Sequence, residues 1–261
     1  MSDVARAAAS PVSDPMEDSL VAAVERSPLH TQPFDHIHME EVFDPPSYAA
    51  LISAIPDRRY FHELSHRDAM RADGSSTRLR MYLYPELLWR LPSAQRRFWM
   101  PVARALCSQR LQDAFRRKFR TSLEQRFGKR VEHIGLDPVP VLLRDQPGYR
   151  IGIHADASLK AITVQYYLPR DTSQSALGTI FHDGDGGEAG ERTTQMPFLP
   201  ATGYAFPVAL TKSWHSAAET SPSDGERMSM MVTYYVADSP GARLRSLVTR
   251  GGLLLGIHPR L

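Results

Sequence analysis

His154 and Asp156, in GYRIGIHADAS, stand two residues apart at the end of a run that reads as a strand. The two-residue period of a strand places both side chains on one face, so an imidazole and a carboxylate can share an ion. Trp214-His215 follows, with His215 61 residues after His154, and Arg227-Met228-Ser229 opens a further strand-like run 12 residues beyond His215. Two imidazoles and one carboxylate on a β scaffold form a facial ligand set that suits non-haem Fe(II) and leaves three coordination positions open. Open positions admit a chelating cosubstrate and dioxygen side by side, which a saturated structural site would forbid. If that chelator is 2-oxoglutarate, its far carboxylate needs a fixed cation. Arg227 supplies a planar two-pronged donor, and Ser229, on the same strand face, adds a hydroxyl.

The chain that must position these groups has 261 residues, 42% hydrophobic and 23% charged, the balance of a soluble globular protein. No apolar run is long enough for a membrane span, and the start lacks a secretory apolar core, so the expected location is cytoplasmic. Cys107 is the single cysteine. It excludes an intramolecular disulfide and a thiolate-rich zinc site, so any metal is held by nitrogen and oxygen. The prolines at 11, 15, 28 and 33, with one brief apolar patch from Leu20 to Val24, predict a mobile leader over residues 1–33 that holds one or two helical turns at most. A single domain is expected over 34–261. Its parts are mainly helical support over 34–130, a β core over 131–237 and a C-terminal tail over 238–261. Tyr48 to Ile55 has helical spacing and stops at Pro56, whereas TRLRMYLY at 77–84 alternates as a strand.

Between Ser93 and Arg130, Leu111, Phe115, Phe119, Leu123 and Phe127 recur every four residues and predict helix, with Pro101 a start or kink. This segment holds eleven Lys or Arg against Asp113 and Glu124, in a chain whose net charge is only +2. A solvated helix face accounts for that charge, and docking of an acidic carrier protein is the alternative. Nucleic acid is not expected, because the basic stretch lacks an obvious base-stacking platform and the chain as a whole is barely basic. From Val131 the chain turns to short β-like runs without intervening helices. That pattern predicts a mainly β fold with N-terminal helices, closed as an antiparallel barrel or two-sheet jelly roll.

The ordered set H-x-D at His154 and Asp156, distal His215, and R-x-S at Arg227 and Ser229 resembles the 2-oxoglutarate/Fe(II)-dependent dioxygenase superfamily, in its bacterial small-molecule and prolyl-hydroxylase-like branches. The resemblance covers residues 131–237 and reaches the N-terminal helices only loosely. It implies a cupin-like double-stranded β-helix with iron held by His154, Asp156 and His215 and 2-oxoglutarate held by Arg227 and Ser229. It further implies decarboxylation of 2-oxoglutarate to succinate with dioxygen, coupled to hydroxylation of an unactivated C–H bond in a small molecule or amino-acid-like group. Family members that halogenate lack the carboxylate, so Asp156 implies hydroxylation or a related desaturation or ring closure. In prolyl-hydroxylase-like relatives the second tyrosine of the matching Tyr-Tyr-Leu touches the cosubstrate carboxylate. That role passes to Tyr167. Trp214 is expected either to pack beside the metal and shield the cosubstrate or to fill the barrel core.

Two other readings compete. His62-Glu63-Leu64-Ser65-His66 matches H-E-x-x-H, which on a helix would hold zinc with Glu63 as general base and Glu86 as third ligand, making the chain a hydrolase. Flanking Arg58, Arg59, Arg67 and Asp68 argue against a buried site there. A jelly-roll binding module without turnover is the other possibility. Asp183, Asp185 and Glu188 invite a calcium reading, but their spacing does not complete an EF-hand, so a polar loop near the site entrance is expected. Arg78, Arg80, Tyr82 and Tyr84 share a strand face and are expected either to line the mouth or to lie on the surface. In the mouth, an arginine would favour a substrate carboxylate or phosphate.

Overall fold

The structure, a computed structural model, describes residues 14–64, 67–185 and 188–257. Its framework is two antiparallel sheets. Strands β1 (Ile37–Met39), β2 (His62–Glu63), β3 (Arg78–Tyr82), β4 (Leu136–Asp145), β6 (Lys160–Tyr167), β9 (Gly203–Pro207) and β11 (Arg227–Val236) form a seven-stranded sheet in the order β1-β9-β6-β11-β4-β3-β2. Strands β5 (Ile151–His154), β7 (Thr179–Asp185), β8 (Glu188–Met196) and β10 (Trp214–Ala217) form a second in the order β5-β10-β7-β8. This is the jelly roll expected from the β-like runs.

Pleating divides the large sheet into a helix-facing and an inner side. On β11, Met230, Val232 and Tyr234 are fully buried against the helices, with the Tyr234 ring 5.6 Å from that of Phe115. Arg227, Ser229, Met231, Thr233 and Tyr235 take the opposite side. The register carries that inner side onto Tyr167, Gln165 and Thr163 of β6 and onto Asp145, Leu143 and Val141 of β4. An aromatic core of Phe34, Tyr167, Phe181, Phe198, Tyr204 and Phe206 fills the space between the sheets. Gly178 enters β7 against β8, where an added Cβ would sit 1.7 Å from the Met196 carbonyl oxygen. A side chain there would push the hairpin apart.

The helical support is α2 (Pro45–Ser53), α3 (Ser93–Cys107), α4 (Gln109–Lys118) and α5 (Arg120–Phe127), so the single periodic stretch after Ser93 is three helices. Ser108 ends α3 and caps α4 through its hydroxyl on the Leu111 amide, which explains the break. Pro101 lies inside α3. Much of the basic charge has an internal task. Arg110 pairs with Asp18, Arg117 with Glu25, and Arg120 with Glu124 and Glu132, while Arg126 donates to the carbonyls of Lys160 and Val208.

Two expectations need correction. Residues 1–13 lie outside the described residues, but the middle of the expected leader is a docked helix, α1 (Pro15–Arg26). Asp14 caps it through the Met16 amide, Pro15 occupies its first turn, and Leu20, Val21, Ala23 and Val24 are buried in the main core. The short apolar patch was one helix face. Leu20→Ala is therefore expected to lower unfolding stability by about 2–4 kcal/mol, measured by urea denaturation; a change below about 0.5 kcal/mol would contradict docking of α1. The expected C-terminal tail is also structured, as α6 (Pro240–Leu254), capped by Ser239 and anchored by the buried Leu253. No helix among the described residues is long and apolar enough to cross a membrane.

Candidate metal centre

His154 ends β5 and His215 lies on β10, and the antiparallel register sets them directly opposite each other with ring centroids 4.2 Å apart. Each ring is oriented by its own backbone. His154 Nδ1 lies 2.9 Å from the Gly152 carbonyl oxygen, and His215 Nδ1 lies 3.0 Å from that of Ser213. Donation by Nδ1–H leaves the Nε2 lone pair of both rings for a metal. Asp156 follows just beyond β5. Its Oδ2 accepts from the Thr163 hydroxyl at 2.6 Å and its Oδ1 from Lys160 Nζ at 2.5 Å.

The protonation states are those of ligands. Burial pushes the His215 imidazole down to about 4, although Asp156 opposes it, so the ring is neutral at pH 7. Burial would raise the Asp156 carboxyl, but Lys160, His215 and the hydrogen bonds from Lys160 and Thr163 hold it at about 2. One ligand atom from each of the three residues lies within 4.8 Å of the others. Two imidazole nitrogens and one carboxylate oxygen fit a six-coordinate divalent ion with one face left open.

The anchor predicted at Arg227 is built on a buried carboxylate. Asp145, opposite Arg227 in the β4–β11 register, is fully buried. It accepts from an Arg227 terminal nitrogen at 2.8 Å, and from Arg78 Nε and a terminal nitrogen at 2.6 and 3.0 Å. Two guanidiniums on one carboxylate leave the cluster with a net positive charge. Arg227 is 1% exposed, and its Nε and second terminal nitrogen have no hydrogen-bond partner. Buried donors of that kind are nearly always satisfied, and these two have the chemistry to meet an anion. Beside them the Ser229 hydroxyl accepts from Gln165 Nε2 at 2.7 Å, and Tyr204 donates to Gln165 Oε1 at 2.7 Å. Tyr167 OH accepts from the Thr179 amide at 2.9 Å and retains its own O–H to donate. Its ring centroid lies 5.8 Å from the Arg227 guanidinium carbon.

The structure thus brings together His154, Asp156 and His215, and it gathers Arg227, Ser229 and Tyr167 along the inner face of the large sheet, opposite the strands that carry the two histidines. Asp145, Thr163, Lys160 and Tyr149 were not singled out from sequence. A strand-face count from Arg227 would have reached none of them, since Asp145 enters through sheet register and Tyr149 through the turn after β4. Tyr149, buried and with its ring centroid 4.2 Å from the Arg78 guanidinium carbon, closes the cluster from that turn.

Other expectations fail here. Arg78 does not face the mouth, because Asp145 holds it in the buried cluster. Trp214 alternates to the face opposite His215, where its indole N–H donates to the Thr211 carbonyl, so it does not pack beside the metal ligands. His62 and Glu63 form β2, paired with Arg80 and Leu79 of β3, so they point to opposite sides instead of sharing a helix turn with His66, which lies outside the described residues. Glu86 is occupied by Arg250. The zinc motif therefore has no helix to act on. Asp183, Asp185 and Glu188 belong to the ends of the β7–β8 hairpin instead of a loop. Asp183 accepts from the Arg192 amide.

No family model matches the sequence, and no curated protein matches it. The structure is similar to a prolyl-4-hydroxylase from Pseudomonas putida, with TM-score 0.52 and 12% identity over 85% of this chain and 100% of that one. It is also similar to the alpha-ketoglutarate-dependent carbocyclase SnoK from nogalamycin biosynthesis, with TM-score 0.50 and 11% identity over 87% and 89% of the two chains. A prolyl 4-hydroxylase from Phytophthora capsici aligns with TM-score 0.50 and 12% identity over 95% of this chain and 77% of that one. Identities this low speak for the fold, and the ligands speak for themselves. With two imidazoles and a carboxylate converging on its inner face, the chain has the fold of the 2-oxoglutarate/Fe(II) dioxygenase superfamily together with a ligand set that fits its metal.

Proposed function

We propose that the chain is an Fe(II)- and 2-oxoglutarate-dependent oxygenase that hydroxylates a C–H bond of a small molecule or amino-acid-like group. The observation that carries this reading is the pairing, between the two sheets, of three converging ligands with a buried arginine whose Nε and second terminal nitrogen lack a hydrogen-bond partner. His154, Asp156 and His215 would hold iron, and Arg227, Ser229 and Tyr167 would hold the far carboxylate of 2-oxoglutarate. Bound iron would supply dioxygen activation coupled to decarboxylation of the 2-oxo acid. The protein's own part is orientation and exclusion of water. Backbone carbonyls fix both imidazoles, Thr163 and Lys160 fix the Asp156 carboxylate, and the Tyr167, Phe198 and Tyr204 rings wall the anchor in a low-dielectric setting that strengthens its charge-assisted bonds.

The test is product mass under oxygen-18 gas, with Fe(II), 2-oxoglutarate and a panel of candidate small molecules. One labelled oxygen added to a panel member, with equimolar succinate, is the expected result. Loss of two hydrogens would replace hydroxylation with desaturation or ring closure. Absence of succinate under every condition, with iron bound, would leave a binding module without turnover.

A further inference from the structure

The helix α6 is amphipathic the wrong way round for an element that merely covers the barrel. Toward the protein it turns Ala242, Ser246 and Thr249, which line a cavity of about 280 Å³ beneath it, and the fully buried Leu253. Those four recur at intervals of four, three and four residues, the stripe of one helix face. On the opposite face Leu244, Leu247 and Val248 are 61–66% exposed, and Leu255, just past the last turn, is 81% exposed. Gly251 shares that face, and a Cβ built on it would meet nothing within 4 Å. Small residues thus face inward while the large apolar ones face water, which forfeits the burial that stabilises a surface helix.

The helix is held in this rotation. Arg250 Nε donates to Glu86 at 2.6 Å, and Arg90 donates to the carbonyls of Leu253 and Leu254 at 2.8 and 3.0 Å. The same Arg90 places an aromatic at the edge of the apolar face. Its guanidinium carbon lies 5.5 Å from the ring of Trp89, which is 59% exposed on the short helical turn Pro85–Arg90. Leu254 and Ile257 are exposed as well, so that six large aliphatic residues of one short segment lie in water together with an indole. Scattered single leucines on a surface need no explanation, but a cluster of this kind marks a contact.

Charge selects the partner. The sequence of α6 contains Arg243, Arg245 and Arg250 and no Asp or Glu. Two copies of the chain meeting along this helix would bring arginines onto arginines with no carboxylate from either helix. A basic helix with an outward leucine face and a tryptophan at its edge has the composition that settles in the headgroup layer of a bilayer, the leucines among acyl chains and the indole at the boundary. We infer that the outer face of α6, with Trp89 beside it, docks on an anionic lipid surface. The contact is peripheral, since no helix among the described residues can span a bilayer. Docked in this way, the chain holds the cavity beneath α6 one helix diameter, ~10 Å, from the lipid. The inference is independent of the oxygenase reading.

The experiment is flotation of the full chain with vesicles of phosphatidylcholine alone and of phosphatidylcholine with about one-third phosphatidylglycerol, with tryptophan emission recorded alongside. Binding to the anionic vesicles is expected to be at least about tenfold tighter than to the neutral ones, a preference that about 0.5 M salt largely removes. Emission is expected to shift to shorter wavelength on binding. Trp89→Phe should abolish that shift and still float, because Trp99 is fully buried and Trp214 lies on another element. The double variant Leu247→Ser, Val248→Ser removes two side chains already in water, so it should keep the wild-type melting temperature and bind at least about tenfold more weakly. Should that variant fail to fold, the lipid preference and the Trp89 shift decide the matter. No flotation with anionic vesicles, flotation without an emission shift, or undiminished binding by a folded double variant would overturn the inference. So would a wild-type dimer in sedimentation equilibrium that the double variant dissolves, which would give this face to a second copy of the chain.

Discussion

Asp156→Ala is expected to weaken Fe(II) binding by at least about 100-fold, measured under nitrogen by competition with a chromophoric chelator. Replacing residues that merely support a ligand typically costs 10–100-fold, and removal of the ligand itself must cost more. Asp156 is the one anionic member of the set, held ionised near pKa 2 by Lys160, His215 and Thr163 against the opposing effect of burial. Without it, two neutral imidazoles face the ion beside the Lys160 ammonium, which repels it. Thr163→Val is the graded companion. It removes only the 2.6 Å bond to Oδ2 and is expected to cost about 10–100-fold. Affinities within threefold of wild type for Asp156→Ala would remove this carboxylate from the metal site.

The second large effect lies at the proposed cosubstrate anchor. Arg227→Gln is expected to raise the dissociation constant of 2-oxoglutarate by at least about 100-fold in the iron-loaded protein, since two charge-assisted hydrogen bonds at roughly 1.5–3 kcal/mol each are lost. The fold should tolerate this change, because Arg78 and Asp145 remain as a neutral buried pair. Asp145→Asn reverses the pattern. It leaves Arg78 and Arg227 facing each other in a buried site without their shared anion, and it is expected to lower stability by about 3–5 kcal/mol. Because a dicarboxylate then neutralises more charge, 2-oxoglutarate should raise the melting temperature of Asp145→Asn more than that of wild type. An Arg227→Gln variant that binds 2-oxoglutarate within threefold of wild type would displace the anchor from β11.

Periodicity made the inner face of the barrel legible. The shared face of Arg227 and Ser229 survives unchanged because Met228, Met230 and Val232, which alternate with them, are buried on the helix-facing side of β11. The H-x-D spacing likewise follows from strand geometry. What escaped was whatever depends on partners distant in sequence. Strand β8 is mostly exposed and polar, EAGERTTQM, so nothing in its composition announces pairing with β7. Arg78 looked like a solvent-facing or mouth residue because its carboxylate partner, Asp145, stands 67 residues away and meets it only through the β3–β4 register. The reading of α1 as a leader weighed proline content over a four-residue buried face. The H-E-x-x-H match failed because two of its residues pair with the edge of a sheet, and a strand places neighbours on opposite sides.

The most direct test of the central claim is an anaerobic titration of the metal-free protein with Fe(II) and then 2-oxoglutarate, followed by visible absorption. A chelated 2-oxo acid on iron gives a charge-transfer band that neither component shows alone. The account predicts that this band appears in the wild type, saturates at one equivalent of iron, and is absent or strongly weakened in Asp156→Ala and Arg227→Gln. Tight iron binding with no band at saturating 2-oxoglutarate, or a band undiminished in both variants, would contradict it.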